Sequence, residues 1–319
     1  MSTFVRRMMG TSSKANTLLI ASTQDIASIY ICNSLMERNN WNQLTPRVYS
    51  NNINKNLFLW VQTESLLTLD EPHELIKSRE DLSSVEVDEG LDFSEVIFLS
   101  RHSAASGISS LTVHPIGVPW LAHSQRGRYG GKGGRCSPPN QRMSSLFRSL
   151  MHYTKENNAS DIFQVTMEAT HHGPYCSIPT CFIEIGSNAT TWDVPLAGEI
   201  WADVLQDEFQ LHSHSDSEIT SVSASMTEIE IETADIGTDT DTDTDLNINT
   251  NEECVFIIIG GSHYVPKAYD AAKLGMNIGH MLANYSLSAS INNNVDIGTA
   301  DGTPPTSEEI LEGNVPTWR

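Results

Sequence analysis

Residues 165–187, VTMEATHHGPYCSIPTCFIEIGS, bring two carboxylates (Glu168 and Glu184), Thr170 and an imidazole pair (His171 and His172) into a short stretch around one Gly-Pro turn. Carboxylates and neutral imidazoles are the side chains that exchange protons near neutral pH, and both are oxygen or nitrogen ligands for zinc. The stretch is therefore either a metal or acid–base centre or a chance cluster. Four further histidines fall at comparable places. His102 follows the apolar run EVIFLS in Arg101-His102-Ser103, and His114 stands before Pro115. His263 follows a glycine pair in Gly260-Gly261-Ser262-His263-Tyr264, and His280 follows Gly279.

Spacing alone does not choose among the chemistries. Catalytic zinc takes about three protein ligands and an open position, and the histidines supply enough. Neither HExxH nor CxxC is present, so metal-assisted hydrolysis, metal-free acid–base chemistry and a core merely rich in histidine all stay open. Ser103 near a histidine admits a Ser-His-Asp arrangement, but no GxSxG elbow accompanies it.

A second feature carries charge. Residues 124–135, SQRGRYGGKGGR, form a basic glycine-rich loop. It fails the P-loop pattern, because Lys132 precedes Gly133 and no strand leads into it. Its backbone is suited to cradling a phosphate, with Arg126, Arg128, Lys132 and Arg135 to neutralise it. A mobile surface loop is the plain alternative.

The elements that must position these groups follow from periodicity. TLLIA (17–21), LFLWVQ (57–62), EVIFLS (95–100) and LTVHP (111–115) are predicted strands, and a helix is predicted from Ser22-Thr-Gln-Asp25 to about Arg38. Phe163, Val165 and Met167 alternate with polar neighbours, which predicts a half-buried strand ending at Glu168; residues 180–185 predict another. Met143, Leu146, Phe147, Leu150 and Met151 share one helical face, and Pro195 opens a helix that buries Leu196, Ile200 and Val204. CVFIIIG (254–260) is continuously apolar and is expected as a central strand buried on both faces. Strands alternating with helices predict an α/β fold, with a single largely parallel central sheet flanked by helices. Strand C-terminal ends are where such sheets bind ligands.

The net charge of −21 over 319 residues does not exclude a nucleic-acid partner. Residues 212–253 hold twelve acids and no Lys or Arg, including TDTDTDTD, and without them the balance is −9. That stretch cannot bury enough apolar surface to offset its ordering entropy, so a disordered acidic insertion is expected at about 211–253. A disordered N-terminus (1–16) and a poorly ordered tail (286–319) are expected to bracket one domain at 17–285. Five scattered cysteines without a CxxC pair fit a reducing compartment. No run is long enough to span a membrane. A cytoplasmic protein is expected, although the basic, Ser-rich first fifteen residues weakly resemble a transit peptide.

The blocks SRHSAASGISSLTVHPIG, EATHHGP, FIEIGS, GGSHYVPK and NIGH, in this order, resemble the archaeal and plant type of D-aminoacyl-tRNA deacylase, over residues 17–285 apart from the insertion. The resemblance implies hydrolysis of the ester between a D-amino acid and the tRNA 3′ end, zinc dependence with one or two Zn²⁺ per chain, and a phosphorylase/hydrolase-like fold related to peptidyl-tRNA hydrolase. It implies a tRNA partner; no membrane association and a monomer are expected alongside. Carried onto this chain, it suggests His102, His171, His172 and His263 as metal ligands, and Glu168, Thr170, His171 and His172 as catalytic groups. Ser103, His114, Glu184, Gly260, Gly261, Tyr264, Arg126, Arg128 and Lys132 would contact substrate, with the glycine amides at the oxyanion and the cations on acceptor-stem phosphates. Pocket shape would reject the L side chain. The sequence after Tyr285 lacks a Lys- and Gly-containing block associated with the family, which implies a truncated or inactive relative as one alternative. A metal-free tRNA-ester hydrolase is another, and a metallo-aminopeptidase or amidohydrolase a more distant one.

Overall fold

The computed structural model describes residues 16–38, 41–82, 91–212, 255–260 and 263–284. The acidic stretch from residue 213 onward, the tail from 285 and residues 1–15 lie outside it. Two boundary residues belong to the fold. Asn16 begins the first strand, and Leu211 is buried in the core.

The chain runs β1 (Asn16–Ser22), α1 (Ile26–Arg38), β2 (Trp41–Thr45), β3 (Val48–Asn51), β4 (Leu57–Gln62), α2 (Pro72–Lys77), β5 (Phe93–Arg101), β6 (Ser110–His114), α3 (Met143–Glu156), β7 (Gln164–Met167), β8 (Thr180–Gly186), α4 (Pro195–Glu208), β9 (Val255–Ile259), α5 (Pro266–Lys273) and β10 (Asn277–Leu282). Eight strands form one sheet in the order β2-β3-β4-β1-β5-β8-β6-β7. Its middle, β4-β1-β5-β8, is parallel. β6 and β7 run parallel to each other but antiparallel to β8, and β2-β3 is an antiparallel hairpin on the other edge. The expected α/β fold with a largely parallel central sheet is what the chain adopts.

Strand alternation divides the interior in two. Leu19, Leu59, Ile97, Leu99, Ile183 and Leu111 point to one face, where they join Ile31, Phe147 and Trp201 of α1, α3 and α4. Leu18, Ile20, Phe58, Phe98 and Phe182 point to the other, against Leu66 and Ile76. Each fully buried side chain of this size contributes about 1.5–3 kcal/mol of transfer free energy. α4 lies close on α1, and Gly198 is the reason: a Cβ there would meet the Tyr30 carbonyl oxygen at 2.7 Å. Arg142, entering α3, bonds Glu95 of β5 at 2.7 Å and Glu208 of α4 at 3.0 Å, tying the sheet to two helices.

One expectation fails. β9 is not a central strand: among the described residues it pairs only with β10, in a separate two-stranded sheet. Ile257 and Ile259 are 50% and 66% exposed. An unbroken apolar run carries no face information, so it cannot distinguish a strand covered on both sides from one covered on neither. This small sheet docks on the end of β7: Ala169 N–H donates to His263 O at 2.7 Å, and Thr170 N–H to Met281 O at 2.7 Å.

Candidate active site

The site is built by strand parity. On β5, Phe98, Ser100 and His102 share the face of Phe182 and Glu184 on β8, while Thr112 and His114 of β6 share it from the other side. In register, Ser100 and Thr112 flank Glu184, and Phe98 and His114 flank Phe182. Moving toward the C-terminal ends of the parallel strands β5 and β8, this face turns from apolar to ionisable. His171 and His172 arrive after β7, and His263 arrives from the segment between β9 and α5 that pairs with residues 168–169.

Glu168 and Glu184 are both essentially without solvent contact. His102 lies between them, its Nδ1 3.2 Å from Glu168 Oε1 and 3.6 Å from Glu184 Oε2. Its Nε2 meets the Tyr264 hydroxyl at 3.1 Å. Glu168 Oε2 is 2.8 Å from His263 Nε2 and 3.7 Å from His171 Nε2. Burial disfavours charge on His102, but the two carboxylates outweigh it and push its pKa up to about 12. Burial likewise works against ionised Glu184, and His102 and His114 reverse it, bringing that carboxyl down to about 2. Glu168 is held well below the usual carboxylate range in the same way, by His102 and His263 against its burial.

Three imidazoles are oriented by backbone. His114 Nδ1 lies 3.0 Å from Pro115 O, His171 Nδ1 2.8 Å from Ala169 O, and His172 Nδ1 2.6 Å from Gly173 O. A carbonyl only accepts, so each Nδ1 carries the hydrogen and each Nε2 is left to face the site. Burial, then the neighbouring rings, keeps His171 well below the ordinary histidine value, and burial with His114 brings His172 to about 4. Both are neutral at physiological pH. The rings pack with centroids 4.2 Å apart for His114–His171 and 4.4 Å for His171–His172.

The metal test turns on this donor set. His114, His171 and His172 place one ligand atom each within 4.8 Å of one another, and so do His102, Glu168 and His263, and His114, Glu168 and Glu184. Among the described residues His114 Nε2 is buried without a hydrogen-bond partner, its nearest carboxylate oxygen being Glu184 Oε2 at 3.6 Å. Buried polar atoms left unpaired are costly, and a cation relieves them. Nε2 lone pairs fixed by Nδ1–H to carbonyl bonds are the arrangement that zinc-binding histidines use. The residues fit a zinc ion.

Several sequence-predicted roles shift. The proposed ligand set His102, His171, His172 and His263 does not form one group: His114, assigned to substrate, joins His171 and His172, while His102 and His263 pair with Glu168. Thr170, expected among the catalytic groups, is fully buried; its hydroxyl lies 3.1 Å from His280 Nδ1 and accepts Met281 N–H, so it holds the small sheet. His280 stays outside all three ligand groups. The Gly260 N–H donates to Leu282 O and is not available to an oxyanion; Gly261 lies outside the described residues. Arg126 bonds Asp70 at 2.5 Å, Lys132 Nζ lies 3.8 Å from Glu71 and over the Tyr175 ring, and Arg128 lies over Tyr129.

The glycine-rich loop is a support. A Cβ on Gly173 would meet Gly131 N at 1.9 Å, and one on Gly130 would meet Leu67 O at 1.6 Å. The loop therefore seats the His171–His172 turn by backbone approach, and Gly173 N–H donates to Tyr129 O at 2.9 Å. Spacing gave no sign of this pairing, since Gly131 and Gly173 are far apart in sequence.

A cavity of about 360 Å³ opens over the cluster at the C-terminal ends of β1, β4 and β5. His102, Ser103, His171, His172 and Glu184 line it, opposite Ser22, Asp25 and Leu66, with Arg101, Tyr129 and Trp192. Glu168 does not. Arg101, Asp25, Tyr129 and Trp192 were missed by sequence reasoning; only the strand-end position of Arg101 hinted at a role.

A sequence profile of the D-aminoacyl-tRNA deacylase family matches residues 89–301. The chain belongs to that family. The D-aminoacyl-tRNA deacylase of Arabidopsis thaliana is 32% identical over 275 residues, 85% of this chain and 75% of the relative. The D-aminoacyl-tRNA deacylase of Picrophilus torridus is 29% identical, covering 92% and 89%. A solved structure described as a conserved protein of unknown function, AF0625, superposes with a TM-score of 0.58 at 20% identity, over 94% of this chain and 92% of that one, and shares the fold. Of the histidines and carboxylates in those sequence blocks, His102, His171, His172 and Glu184 line the cavity. Among the described residues no helix is long and apolar enough to cross a membrane.

Proposed function

We propose that this chain hydrolyses the ester bond of D-aminoacyl-tRNA, releasing a free D-amino acid and tRNA, at a zinc centre held by His114, His171 and His172. The observation that carries the reading is the set of three backbone-oriented imidazoles beside Glu184: His171 and His172 line the cavity with that carboxylate, and His114 is buried against both rings. Family membership supplies the substrate class. Zinc, when bound, supplies the Lewis acidity that activates water and an ester carbonyl at neutral pH.

The protein's own groups do the rest. Glu184 is ionised and lines the cavity, so its carboxylate accepts the attacking water's hydrogen bond and orients it. Glu168, nominated from the sequence for that task, is sealed from the cavity and instead keeps His102 charged and His263 in place. His102 carries a fixed positive charge beside both carboxylates, which stabilises negative charge developing on the reacting oxygen. Tyr264 orients the far side of the His102 ring. The cavity walls exclude the L side chain by shape.

Single-turnover deacylation of D-tyrosyl-tRNA by the wild type and by Glu184→Gln tests the reading. The wild type is expected to release D-tyrosine, and the variant to be slowed at the chemical step. Equal rates would remove Glu184 from the reaction.

A further inference from the structure

Arg101 and Trp192 form a flat wall of the same cavity that none of the steps above uses. The Arg101 guanidinium lies over the Trp192 indole, 5.0 Å from its centroid. Both residues are anchored from below. Trp192 Nε1–H donates to His102 O at 2.7 Å, and Arg101 N–H donates to Asp25 Oδ2 at 3.0 Å. Arg101 is the last residue of β5 and pairs with Ile185 of β8. Its side chain is exposed at the cavity, and among the described residues no carboxylate comes within ion-pair distance of it.

A guanidinium over an indole, both lining an open cavity, is a stacking surface for a nucleobase. Its place is informative. The indole is hydrogen-bonded to the backbone of His102, whose side chain belongs to the reacting cluster, so the wall adjoins that cluster in one cavity. The ester substrate of the proposed reaction is carried on the ribose of the 3′-terminal adenosine common to all tRNAs.

We infer that the Arg101–Trp192 stack is a subsite for the terminal adenine of the tRNA, clamping the base while the ester enters the histidine cluster. This rests on the proposed deacylase reading and adds a purine subsite to it. A base-stacking anchor is indifferent to the rest of the tRNA sequence, so one site serves tRNAs of different identity.

The test uses adenosine 5′-monophosphate and ribose 5-phosphate as competitors of D-tyrosyl-tRNA hydrolysis and as ligands in isothermal titration, with the wild type, Arg101→Ala and Arg101→Lys. Adenosine 5′-monophosphate is expected to bind and compete, and ribose 5-phosphate to do neither at the same concentration. Arg101→Ala is expected to weaken the nucleotide and to raise KM by on the order of tenfold, with the loss falling on KM rather than kcat. Arg101→Lys keeps the charge but not the plane, so it is expected to resemble the alanine variant.

Equal competition by the two phosphates overturns the subsite, and so does a fully active lysine variant, which would mean charge against a phosphate. An inert wild type would defeat the deacylase reading, whereas titration with the nucleotide would still decide the subsite.

Discussion

His114 Nε2 faces Glu184 Oε2 at 3.6 Å, and neither residue has appreciable contact with water. The other ring nitrogen of His114 is bonded to Pro115 O, so Nε2 has two ways to be satisfied: a proton or a metal ion. Burial opposes the proton, and the Glu184 and Glu168 carboxylates outweigh it, raising the His114 pKa. Protonated, His114 has given up the lone pair that a metal needs. Proton and metal thus compete for one atom, as they do wherever a metal ligand must first be deprotonated.

The first prediction concerns that atom. His114→Ala and His171→Ala are expected to lose bound zinc and to lower D-tyrosyl-tRNA turnover by more than about a hundredfold. His152→Ala, at an exposed position on α3, is the comparison and should keep both. Metal content of the dialysed proteins, measured alongside turnover, checks it; full zinc occupancy in His114→Ala would contradict the ligand assignment.

The two carboxylates are expected to separate in their effects. Glu184→Gln should lower kcat by about 10²–10⁴-fold, since its carboxylate is the one that meets the water in the cavity, and should unfold more easily, because His102 and His114 lose a buried counter-ion. Glu168→Gln should also unfold more easily, by about 3–5 kcal/mol, because it leaves His102 and His263 without their shared buried counter-ion. An unfolding curve of Glu168→Gln identical to that of the wild type would mean that Glu168 is not structural.

Replacing Gly173 by Ala is expected to displace the His171–His172 turn. The added Cβ meets backbone atoms of Gly130 and Gly131 at 2.3 and 1.9 Å, which flexible side chains cannot relieve. The cost is about 1–3 kcal/mol of stability, with activity falling further than stability. At Gly275 an added Cβ meets nothing within 4 Å, so Gly275→Ala bears only the strain of its φ of +86° and should leave turnover intact. Parallel turnover assays of the two variants decide whether the glycine-rich loop seats the histidines.

Acid sensitivity has an identifiable contributor. Burial holds His280 down at about 4, against 6.5 when exposed in the unfolded chain. Its folded pKa is the lower one, so its contribution is complete above about 6.5 and is lost as pH falls toward about 4, where the unfolded state takes the proton first. His280→Gln is expected to flatten the fall in unfolding midpoint across that window. An unchanged slope would assign the acid loss to other groups.

The central sheet was legible because its strands announce themselves. Residues 17–21, 57–62 and 95–100 are short apolar runs with polar ends, and the helix beginning at Met143 shows its apolar face in the spacing of Leu146, Phe147 and Leu150. The β2–β3 hairpin was missed, since Trp41–Thr45 is polar and mostly open to solvent. β9 was placed wrongly because its apolar residues alone do not say what covers them. Within the site, residue types were visible and their grouping was not. Glu184, His114 and His102 meet through strand register, which couples residues far apart in sequence, and the roles of Glu168 and Glu184 separate only once the cavity shows which one it reaches. Arg101 and Trp192 carry no motif, and their pairing exists only in the fold.

The most direct measurement is deacylation of D-tyrosyl-tRNA against L-tyrosyl-tRNA, before and after chelation and after zinc is returned. The account predicts release of D-tyrosine alone, abolished by the chelator and restored by zinc. Hydrolysis that persists undiminished in the stripped protein would contradict the metal centre, and a folded protein inert toward the D ester would contradict the function itself.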